Sequence, residues 1–230
     1  MDYLGRDLLP PPRSSTPAPH KGDQLFRSDA PNASTASINQ NISAYTEGYR
    51  RGAEQLVQHV LSDGAELNFL VYPIIFLYRH HLELALKRIL HRTPQLLGRN
   101  RTKKENERLW RGHNLDALWG DLRPLLNEVY SAMAWTEPEA ADVEGIDDCM
   151  GQLSKVDPQS YSFRYPFSTS GDPVLENLKS VDLRHFAEVI GRLIHYIDDI
   201  DTATSLFAEF NDEMEAEYAY EADRAEFDDY

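Results

Sequence analysis

Residues 72–90, YPIIFLYRHHLELALKRIL, constrain the fold of this 230-residue chain most, because they are apolar on more than one side. On a helical wheel at about 100° per residue, Ile74, Leu82 and Ile89 share one broad apolar face. Tyr72 and Phe76 lie on the other side. A helix that is apolar all round is buried all round. The stretch therefore predicts a central helix surrounded by other elements.

Four ionisable residues share the second side of this helix, namely Arg79, His80, Glu83 and Lys87. Buried ionisable groups need partners, so these side chains are either neutralised in a core or form part of a site. Glu83 follows Arg79 at salt-bridge spacing, and we interpret the pair first as a structural ion pair. The alternative places Arg79 and His80 at a dimer cleft with Arg164. There they contact RNA phosphates, and His80 acts as an acid or base.

Helical periodicity also appears in four other segments, 42–62, 114–129, 137–156 and 181–207. With the central helix, predicted over 65–91, they favour an all-α fold, an antiparallel bundle of four to five helices. Residues 161–167 alternate aromatic with polar side chains. A small irregular or two-stranded extension is therefore expected near 161–175. Residues 98–112 are predicted to form a basic loop.

Composition divides the chain into three predicted regions. Residues 1–37 are rich in Pro and Ser and poor in large apolar side chains, which indicates a flexible arm. Residues 38–207 form the bundle, and residues 208–230 form an acidic tail whose start is expected to extend the last helix. A single cysteine, Cys149, and the lack of an apolar run of membrane-spanning length favour a cytoplasmic protein without a membrane segment.

The net charge of −15 is distributed unevenly. Residues 38–135 carry thirteen basic and ten acidic residues, whereas 136–207 carry five basic and fourteen acidic ones. The tail, 208–230, carries one basic and ten acidic residues. This balance argues against nucleic-acid binding over the whole surface. Any such binding is expected in the first half of the bundle.

A second candidate site follows the basic segment and comprises Lys104, Arg108, Arg111, His113 and Asn114. The predicted helix start at Asn114 offers free backbone N–H groups and the positive end of a helix dipole, both of which favour a phosphate. The nearby cations would add charge-assisted hydrogen bonds. The alternative is that His113 only caps the helix or packs on Trp119, beside a solvated loop.

Three short motifs occur in order along the chain, LELALK at 82–87, GHNL at 112–115 and FRYP at 163–166. Their order and spacing resemble the HEPN superfamily over about residues 42–199. The resemblance implies an antiparallel helical bundle, often homodimeric, found in toxin–antitoxin modules, in antiviral defence systems and beside nucleotidyltransferases. It also implies, for many members, a metal-independent ribonuclease that uses an Arg and, four to six residues later, a His on a late helix.

This sequence departs from that ribonuclease motif. Arg108 and His113 have the four-residue gap but precede the predicted helix, and on the last helix Arg192 and His195 are separated by only two residues. We therefore favour an RNA- or nucleotide-associated binding or regulatory component of a defence or toxin–antitoxin system. The first alternative is a ribonuclease with Arg79, His80 or His113 as catalytic residues. In either case a homodimer is expected, with interface residues Tyr72, Phe76, Arg79, Glu83, Arg192 and His195.

The second alternative is an acidic interaction protein whose tail masks a basic surface on a partner. A protein partner encoded in the same operon is expected in any of these cases. No metal site is predicted, because the pairs His185/Glu188 and His195/Asp199 lack a clear third ligand. No cofactor is predicted either.

Overall fold

The structure is a computed structural model that describes residues 20–23, 25–26, 36–38 and 40–228. The chain divides into two compact units, Met1–Gln40 and Asn41–Tyr230. In the first unit, the Asp23 amide donates to the His20 carbonyl at 3.1 Å and closes a short turn. The predicted arm over 1–37 lies mostly outside the described residues.

The described part of the second unit contains six helices. They are α1 (Ile42–Asp63), α2 (Leu67–Leu96), α3 (Lys103–Arg111), α4 (Leu115–Ala132), α5 (Ala140–Val156) and α6 (Leu183–Asp228). The described chain is therefore all-α, as the sequence predicted. The five predicted helices are present, and the sixth, α3, occupies the segment predicted to be a loop.

The helix α2 packs against more neighbours than any other element. It contacts α1, α3, α4 and α6, while α5 packs on α4. Ile74, Leu82 and Ile89 of α2 are fully buried, in one apolar core with Leu122 of α4 and Ile197 of α6. Neighbours on several sides explain why residues 72–90 are apolar on more than one face.

Local signals account for both ends of α1. The Asn41 side chain accepts a hydrogen bond from the Ser43 amide at 2.9 Å and caps the start of α1. Gly64, with φ of 71°, ends α1 in the left-handed conformation that glycine adopts without steric cost. Two prolines, Pro73 and Pro94, lie inside α2. Neither ends it, so α2 extends to Leu96, five residues past the predicted end.

Residues 161–167 form turns, so the two-stranded alternative predicted near 161–175 is not confirmed and the segment is irregular. Within the described residues the only β pairing is one isolated antiparallel bridge between Phe167 and Pro173. The Asp157 carboxylate accepts hydrogen bonds from the Tyr161 and Ser162 amides at 2.6 and 2.9 Å. Because these amides are held by a side chain, they cannot donate to a neighbouring strand.

The last helix, α6, continues to Asp228, well past the predicted tail boundary at 207–208. The Phe207 ring lies 6.0 Å from that of Trp135, between ring centroids. Beyond this contact, Phe210 is exposed. The acidic tail therefore starts as a continuation of α6. No helix in the described ranges has the length and apolar character needed to cross a membrane.

Candidate functional site

Three charged residues of α2, Arg79, Glu83 and Lys87, lie one turn apart on a buried stripe. Glu83 is 1% exposed, and its carboxylate accepts hydrogen bonds from Arg79 Nη1 and Lys87 Nζ, both at 2.8 Å. Lys87 Nζ also donates to the Trp110 carbonyl at 3.2 Å. The ion pair predicted from the Arg79–Glu83 spacing is therefore present within a larger network.

Two residues far along the chain complete this network. His113 Nδ1 lies 2.8 Å from Glu83 Oε1, and Arg79 Nη2 donates to the His113 carbonyl. Arg79 Nε lies 3.2 Å from both the backbone carbonyl oxygen and the carboxylate Oδ2 of Asp157. We call Arg79, Glu83, Lys87, His113 and Asp157 the buried network. It ties α2 to the start of α4 and the end of α5.

The network keeps Glu83 ionised. Burial alone would raise the pKa of Glu83, but the hydrogen bond and charge of Lys87, with the bonds from Arg79 and His113, hold it below its ordinary value. A buried carboxylate in this setting is stable only because its charge is compensated and its oxygens are hydrogen-bonded. Removing one partner would leave charge inside the helical core less fully compensated.

The buried network does not fit the interface and catalytic roles predicted for Arg79, or the interface role predicted for Glu83. All three guanidinium nitrogens of Arg79 are engaged inside the fold, and its side chain is 1% exposed. It cannot reach RNA or a second copy without breaking these contacts. Glu83 is equally buried. Both side chains are hydrogen-bonded inside the helical core, as buried polar groups commonly are.

His113 is the member of the network that reaches the surface, with a side chain 45% exposed. Since a carboxylate can only accept, Nδ1 is the protonated ring nitrogen toward Glu83. In the neutral ring, Nε2 then keeps its lone pair. A buried carboxylate that orients an exposed imidazole is an arrangement suited to a general base.

The basic segment before His113 is a helix, α3, which corrects the prediction of a loop. Thr102 and Glu105 form a capping box at its start. The Glu105 amide donates to Thr102 Oγ1 at 3.3 Å, and the Thr102 amide donates to Glu105 Oε2 at 2.7 Å. Two otherwise unpaired backbone donors are satisfied in this way, which fixes where α3 begins.

Three of the predicted phosphate-binding residues are exposed on α3, namely Lys104, Arg108 and Arg111. Arg108 is 83% exposed and lies 4.0 Å from the Asp121 carboxylate, a distance at which an exposed pair is weak. Trp110 is exposed on the same helix, with its ring centroid 6.3 Å from that of His91. The surface of α3 thus combines cations with an accessible indole.

Asn114 does not fit its predicted role as a phosphate ligand. Its side-chain oxygen accepts the Ala117 amide at 2.8 Å, which makes Asn114 the N-cap of α4. The Asp116 amide donates to Ser154 Oγ at 2.8 Å. Asp116 also places a carboxylate in the first turn. Two donors at this helix end are therefore occupied, and a negative charge already interacts with its dipole.

A row of planar side chains runs from α1 across α2 to the turn after α5. Its members, in order of contact, are Tyr49, His80, Phe76, Arg164, Tyr165 and Tyr161. The His80 centroid lies 4.4 Å from that of Tyr49 and 5.6 Å from that of Phe76. The Arg164 guanidinium lies 5.6 Å from the Phe76 centroid and 5.7 Å from the Tyr165 centroid. We call this set the aromatic row.

His80 belongs to the aromatic row rather than to the buried network. Burial lowers the pKa of His80 below its ordinary value, so the ring is neutral at pH 7. Its buried Nδ1 has no hydrogen-bond partner among the described residues. A neutral imidazole between two rings stacks like an aromatic side chain and provides no fixed positive charge for a phosphate.

A groove of about 840 Å³ adjoins the aromatic row, between the first turns of α2 and residues 162–181. Its lining includes Tyr72, Arg164, Tyr165 and Lys179. Its volume falls within the range of small-ligand sites. Tyr72, Phe76 and Arg164, which were singled out from the sequence, thus lie around one surface, formed by the groove and the aromatic row.

Arg192 and His195 lie exposed on α6. His195 Nε2 is 3.6 Å from the Asp199 carboxylate one turn away. Among the described residues, neither side chain has a hydrogen bond or ion pair to the buried network or the aromatic row. The described residues contain no group of three or more His, Cys, Asp or Glu that could hold a metal ion.

Asp157 and Tyr165 were not identified from the sequence. Asp157 precedes Pro158 at the end of α5, and an Asp at a helix end commonly accepts the amides of the following turn. The position of Asp157 at a predicted helix end could therefore have identified it from the sequence. Tyr165 follows Arg164 within a turn, and no spacing rule predicts that the guanidinium would lie over its ring.

Comparison with protein-family models, with curated proteins and with solved structures finds no match to this chain. The proposed function therefore rests on three features of the described residues. They are the aromatic row with its groove, the exposed face of α3, and the exposed ring of His113.

Proposed function

We propose that this protein is a HEPN-like antiparallel bundle that binds single-stranded RNA or nucleotides as a regulatory component of a defence or toxin–antitoxin system. The observation that carries the proposal is the position of Arg164. Its guanidinium lies over the rings of Phe76 and Tyr165, and the same side chain lines the 840 Å³ groove.

This combination suits a nucleic acid whose bases are not paired. Each base presents a flat face that stacks on an aromatic side chain, and each phosphate attracts a cation. Tyr72 and Tyr165 supply exposed rings at the groove, and Arg164 and Lys179 supply the positive charge. Arg164 can itself stack on a base while it bonds a phosphate.

The exposed face of α3 supports the same proposal as a second phosphate contact. Arg108 is largely free of its weak partner Asp121, and Lys104 and Arg111 are exposed beside it. Such contacts raise affinity without reading sequence, and their contribution falls with salt. We assign base stacking to the aromatic row and groove, and backbone attraction to α3.

Fluorescence anisotropy with a short labelled single-stranded RNA tests this assignment. Tyr165→Ala removes an exposed ring and should weaken binding about tenfold, in line with typical losses of base stacking. Arg164→Ala should have a similar effect. Arg184→Ala, which removes an exposed arginine of α6 that does not line the groove, is the matched control and should bind like the unmodified protein. Equal affinity for all four proteins would overturn the proposed groove.

The role of α3 is tested by the salt dependence of the same binding. Arg108→Ala should weaken binding at low salt and make the slope of log affinity against log salt less steep by about 0.7, the value for one single-strand phosphate contact. Tyr165→Ala should leave that slope unchanged. An Arg108→Ala protein with the original slope would remove α3 from the binding surface.

The proposal includes a homodimer that uses the first turns of α2. Phe69, which does not line the groove, is 74% exposed, and it is a large apolar side chain that a second copy would cover. Sedimentation equilibrium should give a dimer that Phe69→Lys converts to monomer. A monomeric unmodified protein would limit the proposal to a single chain.

One observation favours a ribonuclease as the second candidate, namely the hydrogen bond between Glu83 and the exposed ring of His113. In that case His113 Nε2 would take the proton of an RNA 2′-hydroxyl while the 2′ oxygen attacks the adjacent phosphorus. The P–O5′ bond breaks, and the departing 5′ oxygen takes a proton from water. Labelled RNA incubated with EDTA should be cleaved by the unmodified protein. His113→Ala should abolish cleavage, while His80→Ala should retain it. Intact RNA in all samples would leave binding as the function.

A further inference from the structure

A second cavity, of about 280 Å³, lies between α4, α6 and the segment that joins α4 to α5. Its aromatic walls are Tyr130, Trp135 and Tyr196, and Pro138 closes one side. The Tyr130 and Trp135 rings stand at 70° to each other with centroids 6.1 Å apart. The walls therefore form a corner of ring faces rather than a flat stack.

Trp135 is held in this corner by its own backbone and by α6. Its amide donates to the Tyr130 carbonyl at 3.0 Å, and Ala134 before it adopts a φ of 50°, a conformation uncommon outside glycine. The indole also packs against Phe207 of α6, at an interplanar angle of 89° and with centroids 6.0 Å apart. These contacts fix the ring, so the cavity wall is preorganised.

The charges at this cavity are negative. Asp199 lines it, and no Lys or Arg does. An adjoining cavity of about 290 Å³ shares Tyr130, Pro138 and Tyr196 with it and adds the carboxylates of Glu137 and Glu144. Its lining also includes Arg123, which forms an ion pair with Asp147, with Nη1 and Oδ2 2.7 Å apart. The electrostatic surroundings therefore disfavour an anionic ligand and favour a cationic one.

We propose that the cavity formed by Tyr130, Trp135, Tyr196 and Asp199 binds an organic cation, a quaternary or N-methylated ammonium group. Aromatic faces attract such a cation through their quadrupoles, and they replace its weakly held water. The Asp199 carboxylate adds long-range attraction at the rim. Burial raises the pKa of both Tyr130 and Tyr196, so both rings stay neutral phenols at physiological pH. This binding is separate from RNA binding at the aromatic row.

The test compares two probes of the same shape, choline and its uncharged isostere 3,3-dimethylbutanol. Titration followed by tryptophan fluorescence and by calorimetry should show choline bound at least about tenfold more tightly, because only choline carries the charge that the rings attract. Equal affinities would overturn the proposal and leave an ordinary apolar cavity.

Variants of the full chain locate the site. Trp135→Leu should weaken choline binding about tenfold or more, whereas Trp110→Leu, which removes an exposed indole of α3, should not change it. Circular dichroism shows whether Trp135→Leu is folded. If Trp135→Leu is not folded, Asp199→Asn provides the test, since the Asp199 side chain is exposed and is not needed for packing. It should weaken choline binding about threefold at low salt, and full affinity in this variant would contradict the proposal.

Two sources of the cation are distinguished by a peptide that carries one trimethyllysine. Binding tighter than choline, and lost when the lysine is unmethylated, would assign the cavity to a methylated protein. Binding of choline but not of the peptide would assign it to a free small molecule. Failure of both probes would overturn the inference and would leave the RNA proposal untouched.

Discussion

Glu83 is the residue on which the buried network depends, because Arg79, Lys87 and His113 all bond its carboxylate. Glu83→Gln keeps the shape of the side chain but removes the counter-charge of the buried Lys87 and leaves Arg79 with the Asp157 carboxylate alone. We expect the free energy of unfolding to fall by about 3–5 kcal/mol. Urea denaturation measures this change.

The matched control for this prediction is Glu128→Gln, which removes the carboxylate that pairs with Arg99 on the surface at 2.6 Å. Exposed pairs contribute little, so its denaturation midpoint should stay where it is. Similar midpoints for Glu83→Gln and Glu128→Gln would show that the network does not hold the bundle together.

His80 gives stability a defined pH dependence. Burial lowers its pKa, so just below about 6.5, the ordinary value for histidine, the unfolded chain binds more protons than the folded one. Stability therefore falls as the pH drops through this range. His80→Phe keeps a ring in the aromatic row but cannot titrate, and should reduce the stability lost between pH 7 and 5. His81, whose pKa is also lowered by burial, keeps part of the dependence.

Urea denaturation at several pH values measures this effect. His195→Phe replaces a histidine that is 82% exposed on α6 and should retain the slope of the unmodified protein. A steep slope that survives in His80→Phe would assign the acid sensitivity to other groups.

The spacing of Arg79 and Glu83 predicts their ion pair correctly, since both lie on one helix. It does not predict that the pair is wholly buried. The burial of Arg79 depends on contacts with His113 and Asp157. These residues lie 34 and 78 residues from Arg79 along the chain and approach it only in the folded protein. Local periodicity contains no information on such contacts, so the sequence predicted a structural ion pair and still left an interface role open for both residues.

Among the elements, α3 is a helix whose start could have been predicted from a local sequence signal. The segment is rich in basic residues and α3 contains only two large apolar side chains, Leu109 and Trp110, so the segment was predicted to be a loop. Thr102 and Glu105 nevertheless have the spacing of a capping box, which marks a helix start. At 161–167 the alternating side chains allowed either an irregular or a two-stranded extension, and Asp157 holds this segment in a turn.

The capping box makes α3 testable. Thr102→Ala removes the side chain that accepts the Glu105 amide and should lower stability by about 1 kcal/mol. Hydrogen exchange should speed up in α3 more than elsewhere, and RNA binding at low salt should weaken because the cations of α3 lose their fixed spacing. Thr169→Ala, in an exposed turn, is the control. Uniform exchange rates in both proteins would mean that α3 is fixed by packing alone.

At the scale of the whole molecule, the charge is separated along the chain. The cations that would attract RNA lie in α3 and beside the groove, while α6 continues into a tail with ten acidic residues and one basic one. A negatively charged ligand is attracted by the first surface and repelled by the second. The tail should therefore weaken RNA binding without contacting the groove.

Deletion of residues 209–230 tests this repulsion, since it changes the net charge from −15 to −6. RNA affinity at low salt should rise about tenfold, and the gain should vanish near 1 M salt, where the Debye length is about 3 Å. The unmodified chain measured at each salt concentration is the control. An affinity that does not change at low salt would contradict repulsion. It would favour the alternative in which the tail covers a basic surface on a protein partner, because such a tail acts only when that partner is present.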